Sequence, residues 1–353
     1  MKSQKGVQTM HHRNIRSVTV IALVGFFMLC AMLRFASPLA AADKTVVWNI
    51  PHTAAPSYYH IINLKAFAEK VKELSKGKME IRVHPASSLY PQQEQIPAVV
   101  EGRVEIAPIL TSYMVDLFLP MAVLELPFMT SSLDEHRAAA EKLRPFYEEQ
   151  LGKKDILLLA ISTWPTQQLF STKKPIDQVE DWKGLKVRVY GTETAELTKA
   201  LGGAPVNIPF AEVYTALQRN VADAAITSAT NAEHMKFSEV AKHINYWFIG
   251  GGACEFLGVN KKAWNSLSPE LQKAVKDALK ESRFEDKEWE DAKALDANAK
   301  KRCTELGMTV VEVPQAEIVK ARNMMKPAWD AWLKRTGDDG KRAVDLALKA
   351  LGR

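Results

Sequence analysis

The sequence predicts an α/β protein whose two domains close on each other like a clamp. Its 353 residues are enough for about two domains. Short apolar strands alternate with amphipathic helices in residues 45–110, and the same alternation returns in residues 182–227. Each run has the order βαβαβ, which builds a mainly parallel sheet flanked by helices. We therefore expect two similar sheets, one in each half of the chain.

Residues 1–42 have the pattern of a secretory signal peptide. A basic start precedes an apolar run from Val18 to Leu33, which is shorter than the roughly 20 residues of a membrane span. Three alanines before Asp43 form a cleavage signal, so Asp43 is the expected mature start near Ala42, with a retained membrane anchor as the alternative. The segment holds five basic residues and no acid, so its removal takes the net charge from +6 to +1. This balance gives no reason to expect nucleic-acid binding.

The strands and helices of the first half are predicted from the spacing of apolar residues and from the proline and glycine residues at helix ends. Strands are predicted at Thr45–Ile50, Met79–Val83 and Val104–Leu110. Helices are predicted at about Ile61–Ser75, where apolar residues recur at helical spacing, and at Pro91–Glu101, where proline occupies the start. A glycine follows the end of each helix, as is common at helix termini.

The segments that link the halves are predicted to cross between the domains. A helix at 133–150 and a buried strand at 156–161 lead into the second half, and three glycines at 250–252 end it. The strand at 253–260 is expected to return to the first domain. Residues 270–306 contain no glycine or proline, and a single helix of that length would reach about 55 Å, which exceeds one domain. We expect one long helix crossing both domains; two helices with an unmarked bend are the alternative.

The expected domains are therefore discontinuous. The first comprises 43–163 plus about 253–285, and the second 164–252 plus about 286–353. Ligands of open α/β sheets bind at the carboxyl ends of the strands. A cleft between two such edges would enclose a small solute.

Arg188 stands out by its position in a short strand, 185–189. Val187 and Val189 point to one face of that strand, so Arg188 points to the other. It is either a solvated surface charge or a guanidinium that clamps a carboxylate through two parallel hydrogen bonds.

Enzyme motifs are largely missing from the chain. There is no GxSxG, HExxH, P-loop or GxGxxG pattern, and the histidines lack tight metal-ligand spacing. We expect no cofactor, no metal site and no catalytic residue. Cys254 and Cys303 could pair in an oxidising compartment, but their spacing does not decide whether they do.

Several ordered motifs resemble the DctP-type solute-binding proteins of TRAP (tripartite ATP-independent periplasmic) transporters. The motifs are Trp182–Val189, Ala200–Val206, Glu212–Gln218, Val221–Asp223, Glu125–Phe128 and Trp264–Leu271. The resemblance covers nearly all of the mature chain. It implies a periplasmic-binding-protein-like clamp, a monomer in the periplasm that is no enzyme and delivers an organic acid to membrane permease subunits.

The resemblance also implies a ligand-binding role for Arg188, because the matching arginine of the family usually pairs with the substrate carboxylate. Two departures change the rest of the pocket. The family's second arginine is missing, with Gln168 near its place, and Thr227 stands near the usual asparagine. A less cationic pocket predicts a monocarboxylate with an apolar or aromatic body, rather than a C4 dicarboxylate or a sugar acid.

Other candidates for the pocket rest on weaker arguments. Trp164, Phe170, Tyr113 and Tyr214 either line it or belong to the core. Glu94, near a helix start, either stabilises the helix dipole or accepts a hydrogen bond from the ligand. His52 lies in the loop after the first strand, which should face the cleft. An exported enzyme using Glu94 and a cleft histidine, and a sensory protein that presents its ligand to a receptor, are the alternative functions.

Overall fold

The computed structural model describes residues 45–113 and 117–353, so the expected signal peptide lies outside the described residues. The strands are β1 (Val46–Pro51), β2 (Met79–His84), β3 (Ile106–Leu110), β4 (Ile156–Thr163), β5 (Gln167–Ser171), β6 (Lys186–Val189), β7 (Ala204–Asn207), β8 (Ala224–Ser228), β9 (His243–Gly250), β10 (Cys254–Asn260) and β11 (Thr309–Glu312). The α-helices are α1 (Tyr59–Leu74), α2 (Gln92–Val100), α3 (Leu133–Gly152), α4 (Thr192–Ala200), α5 (Val213–Gln218), α6 (Asn231–His234), α7 (Lys261–Asn265), α8 (Pro269–Glu281), α9 (Phe284–Glu305), α10 (Gln315–Met324) and α11 (Lys326–Ala350).

The strands form three sheets, of which one is parallel, one is antiparallel and one is mixed. β1 pairs in parallel with β2, while β10 lies antiparallel between β3 and β4. The third sheet has the order β11-β9-β5-β8-β6-β7, in which β5 is antiparallel to both neighbours and the other pairs are parallel. The α/β class is confirmed, but the sheets are less parallel than expected. The three-residue connections from β4 to β5 and from β9 to β10 each carry the chain from one sheet to the other, and the strand that enters in this way runs antiparallel to both of its neighbours.

Apolar side chains gather into one large core and two smaller ones. The first core is built around β1–β4 and β10 with α1 and α3, and the other two contain residues from the six-stranded sheet. Successive side chains of β5 point to opposite faces of this sheet, so Leu169 packs in the second core and Phe170 in the third. The return of residues 253–260 to the first set of strands is confirmed by the pairing of β10 with β3 and β4.

The single helix expected from Glu270 to Leu306 is wrong, and the alternative of two helices with an unmarked bend is confirmed. α8 ends at Glu281 and α9 begins at Phe284, and Arg283 between them has a left-handed φ of 51°. No helix-breaking residue marks this break in the sequence, because arginine is not a turn signal. α9 nevertheless joins two cores, since Trp289 packs in the first and Cys303 in the third. Its 22 residues span about 33 Å.

The last helix departs from the expected assignment of residues 286–353 to the second domain. α11 is kinked at Gly337, where φ is 58°. Trp332 before the kink and Ala343 and Ala347 after it all pack in the first core. None of the helices within the described ranges is long and apolar enough to span a membrane.

Candidate functional site

Arg188 is a buried cation on an interior strand of the six-stranded sheet. It lies on β6, which runs parallel to β7 on one side and β8 on the other. Val187 and Val189 pack into the second core, so the alternation of the strand turns Arg188 to the opposite face, where only 1% of its surface is exposed. The solvated-charge alternative therefore does not hold.

The guanidinium of Arg188 is held by backbone oxygens and not by an acid. Nε donates to the carbonyl of Ile208 (3.0 Å) and Nη1 to the carbonyl of Ile226 (2.9 Å), while the guanidinium carbon lies 5.6 Å from the ring centroid of Tyr190. Across the described residues, no carboxylate forms an ion pair with Arg188, and neither of those two bonds uses Nη2. A buried charge without a counterion is costly, so this arrangement favours an anion from outside the chain.

Burial shifts the pKa values of Arg188 and of a nearby carboxyl, and the cavity still favours an anionic ligand. Desolvation lowers the pKa of Arg188 from its ordinary value, while Tyr113 and Tyr190 act in the other direction. Glu125, which accepts hydrogen bonds from Thr111 and Ser112, has its pKa raised well above the usual range by burial. The neutral form of that carboxyl is thereby favoured, so it adds little negative charge near Tyr113 and Tyr190.

Arg188 opens onto a cavity whose wall is mostly neutral. The polar lining residues without charge are Thr53, Gln92, Ser112, Gln167, Thr227, Ser228 and Asn231, and the aromatic ones are Tyr113, Trp164, Tyr190 and Phe210. Of the described residues that line it, Arg188 is the only one with a charge. The cavity can thus hold a small molecule with one negative group, apolar surface and several hydrogen-bonding atoms.

The structure brings four of the sequence-predicted residues together. Arg188, Thr227, Tyr113 and Trp164 all line this cavity. Tyr113 interacts electrostatically with Arg188, although burial raises the pKa of its hydroxyl overall. The indole of Trp164 is fixed from behind by its hydrogen bond to Glu255 Oε2 (3.0 Å) and stacks on Tyr58 at 5.3 Å.

Two predicted residues of β5 point away from the cavity. Gln168 is fully buried, with its Oε1 accepting from the Phe248 amide (3.0 Å) and its Nε2 donating to Thr166 (3.2 Å). Phe170, on the same face of the strand, packs in the third core. Gln167 lines the cavity instead, so the sequence identified the strand but chose the wrong face.

Glu94 and Tyr214 also lie outside the cavity. The carboxylate of Glu94 is exposed and pairs with Arg103 at 3.1 Å, and the hydroxyl of Tyr214 donates to Glu239 at 2.8 Å. Gln92, two residues before Glu94, is the lining residue from this helix.

His52 belongs to a buried network behind the cavity wall. Its Nδ1 accepts from the amide of Ala54 (2.9 Å), so its proton resides on Nε2, which donates to Glu255 Oε1 (3.1 Å). His52, His60 and Glu255 have candidate ligand atoms within 4.8 Å of one another. Because the Nε2 of His52 carries a proton, we interpret the group as a hydrogen-bonded network that fixes Trp164, and not as a metal site.

Sequence reasoning missed several lining residues. Gln92 and Gln167 lie beside residues that were chosen, and helix phase or strand alternation could have found them. Phe210 and Asn231 come shortly after β7 and β8 and begin short helical segments of three and four residues, which are too short for a periodic pattern to mark them.

Comparison with known proteins gives consistent matches along the chain. The model of the family DctP, "Bacterial extracellular solute-binding protein, family 7", matches residues 50–336. The C4-dicarboxylate-binding periplasmic protein DctP of Rhodobacter capsulatus is 26% identical over 92% of this chain and 98% of its own length.

Solved structures agree with this match. The chain is similar to DctP6 of Bordetella pertussis, an extracytoplasmic solute receptor binding pyroglutamic acid, with a TM-score of 0.80, 28% identity and coverage of 86% of this chain and 100% of that one. It is also similar to a marine metagenome TRAP solute-binding protein specific for pyroglutamate, with a TM-score of 0.80, 25% identity and coverage of 87% and 99%.

Proposed function

Because the chain belongs to the DctP family of bacterial extracellular solute-binding proteins, family 7, we propose that it captures a small organic monocarboxylate and delivers it to TRAP membrane permease subunits. Members of this family are receptors for organic acids. The finer assignment, one carboxylate held by Arg188, is the proposal made here.

One observation carries it: a fully buried guanidinium with no acidic partner among the described residues. The carbonyls of Ile208 and Ile226 orient the group through Nε and Nη1, and an incoming carboxylate would join Tyr113 as a side-chain partner of the guanidinium. Guanidinium and carboxylate are complementary in charge and in planar geometry. The anion would supply the charge compensation that the described residues of the cavity wall do not provide.

The neutral remainder of the wall favours a single carboxylate. A second carboxylate would lose its hydration among amides, hydroxyls and rings without gaining a cation. Trp164 and Phe210, whose rings meet edge to face at 6.3 Å, offer apolar surface for the body of the ligand. The pyroglutamate-binding relatives support this class. The C4-dicarboxylate-binding relative makes a dicarboxylate the rival, and the many neutral polar groups make a sugar acid another.

We further propose the cellular setting from the family. The protein acts as a periplasmic monomer after removal of residues 1–42. Its two lobes close on the ligand. The first lobe comprises 43–163 and about 253–285 together with α11, and the second comprises 164–252 and about 286–325. Because Tyr113 follows β3 and Arg188 lies on β6, contacts from both lobes would exist together only in the closed form. Ligand would therefore shift the population toward closure.

Isothermal titration calorimetry tests the proposal. Pyroglutamate, succinate and glucuronate are titrated into the exported protein and into Arg188→Ala. We expect pyroglutamate to bind more tightly than succinate or glucuronate, and we expect Arg188→Ala to abolish binding. Glu94→Gln, an exposed acid outside the cavity, is the control and should bind as the unaltered protein does. Unchanged affinity in Arg188→Ala, or tighter binding of succinate, would refute it.

The same samples separate the alternative functions. Turnover of a bound acid, followed by chromatography, would favour an exported enzyme over a receptor. Neighbouring genes for permease subunits would favour transport over sensing.

A further inference from the structure

Asn231 forms part of the cavity wall with a fixed amide orientation. It begins α6, directly after the turn that follows β8, and is 1% exposed. Its Nδ2 donates to the hydroxyls of Thr227 (2.8 Å) and Ser228 (3.1 Å). Ser228 Oγ lies 2.9 Å from Thr230 Oγ1, so its own hydrogen has an acceptor there and its lone pairs stay open to Asn231. Both Nδ2 hydrogens are thus used, which places Oδ1 on the other side of the amide.

The Oδ1 atom of Asn231 is buried and has no hydrogen-bond partner among the described residues. Buried polar atoms are almost always hydrogen-bonded, because they lose water on burial and need a replacement. Of the buried side-chain atoms without a partner in the described ranges, this is the only one that belongs to a cavity-lining residue. A ligand is the group that would satisfy it.

We propose that Asn231 Oδ1 accepts a hydrogen bond from the bound acid, so the ligand carries an N–H or O–H donor besides its carboxylate. This inference rests on the proposed function, since it assumes that a carboxylate occupies the same cavity at Arg188. Among the described residues, the cavity then offers two complementary groups, a guanidinium without a carboxylate partner at Arg188 and an acceptor without a donor at Asn231. Lactam acids and hydroxy acids fit this pair. Simple alkyl or aryl carboxylates do not, because they leave Oδ1 without a donor.

Matched ligands test the inference on the unaltered protein. Pyroglutamate is compared with 5-oxotetrahydrofuran-2-carboxylate, in which a ring oxygen replaces the N–H without added bulk. Lactate is compared with propionate, and mandelate with phenylacetate. We expect the donor-bearing acid of each pair that binds to be at least about tenfold tighter by calorimetry. Equal affinities would overturn the inference, and so would tighter binding of the lactone, which would place the amide nitrogen at the ligand.

Asn231→Ala tests the residue itself. It removes the acceptor, so the affinity ratio within each pair should fall to near one, while binding stays dependent on Arg188. Gln168→Ala, on the opposite face of the neighbouring strand β5, is the control and should keep the ratio. An unchanged ratio in Asn231→Ala contradicts the inference alone. Binding that survives Arg188→Ala contradicts the proposed function, and failure of every acid to bind contradicts both.

Discussion

Glu255 is the carboxylate that holds the wall of the cavity, and its replacement by glutamine should destabilise the protein strongly at neutral pH. One oxygen accepts from His52 Nε2 (3.1 Å) and the other from the Trp164 indole (3.0 Å). A glutamine side chain has only one acceptor oxygen, whereas the two donors need one oxygen each. Its amide nitrogen would therefore face a donor within a fully buried site.

The magnitude follows from the pKa of Glu255. Burial alone would raise that pKa, but His52 and His60 outweigh it and lower it from 4.5 to about 2. A difference of this size corresponds to about 3 kcal/mol. Because the folded pKa is the lower one, the stabilisation is complete above pH 4.5 and is lost as pH falls toward 2. Glu255→Gln should therefore lower the free energy of unfolding by about 3 kcal/mol at pH 7 and by far less near pH 2.

Urea unfolding followed by tryptophan fluorescence, at a series of pH values, measures this difference. Glu94→Gln is the matched control, because the Glu94 carboxylate is exposed and pairs only with Arg103 at the surface, where a loss below about 1 kcal/mol is expected. A destabilisation by Glu255→Gln that is the same at pH 7 and pH 3, or that is below about 1 kcal/mol at pH 7, would refute the reasoning. Ligand affinity should fall as well, since Trp164 loses its fixed position.

Three further outcomes can be checked with standard assays. Burial lowers the pKa of His136 from 6.5 to about 3, so stability should fall as pH drops through that window, and His136→Gln should flatten the fall in pH-dependent unfolding. Gly252→Ala should lower the melting temperature far more than Gly307→Ala: both have positive φ, 99° and 81°, but a Cβ at Gly252 would lie 1.9 Å from a backbone carbonyl oxygen, and one at Gly307 meets nothing within 4 Å. Comparable losses would contradict this. Cys254 and Cys303 are buried and free, so thiol reagents should label both in urea and neither in the folded protein; labelling of a single thiol in urea, or of none, would contradict it.

The fold could be predicted from sequence where local patterns and packing agree. Alternation of strands with helices marked both halves, and the apolar strand at 253–260 pairs with β3 of the first half, as its expected return there requires. The break at Arg283 could not be located, because arginine has no preference for the left-handed conformation that it adopts there. The return of α11 to the first core depends on contacts between residues far apart in sequence, such as those of Trp332.

The site divides in the same way. Arg188 could be found because a charge between two valines in a strand is unusual and because the family motif surrounds it. Choosing between Gln167 and Gln168 required the register of β5, since one residue of offset exchanges the cavity for the opposite face. Asn231 became visible only through its unpartnered oxygen, which no sequence pattern reports.

A high-resolution crystal structure of the exported protein, purified with the ligand that it carries from the cell, tests the central claim most directly. We predict one carboxylate against the Arg188 guanidinium, with the body of the ligand packed against Trp164 and Phe210. An acid bound elsewhere, or a ligand in this cavity whose neutral end meets Arg188, would contradict the account.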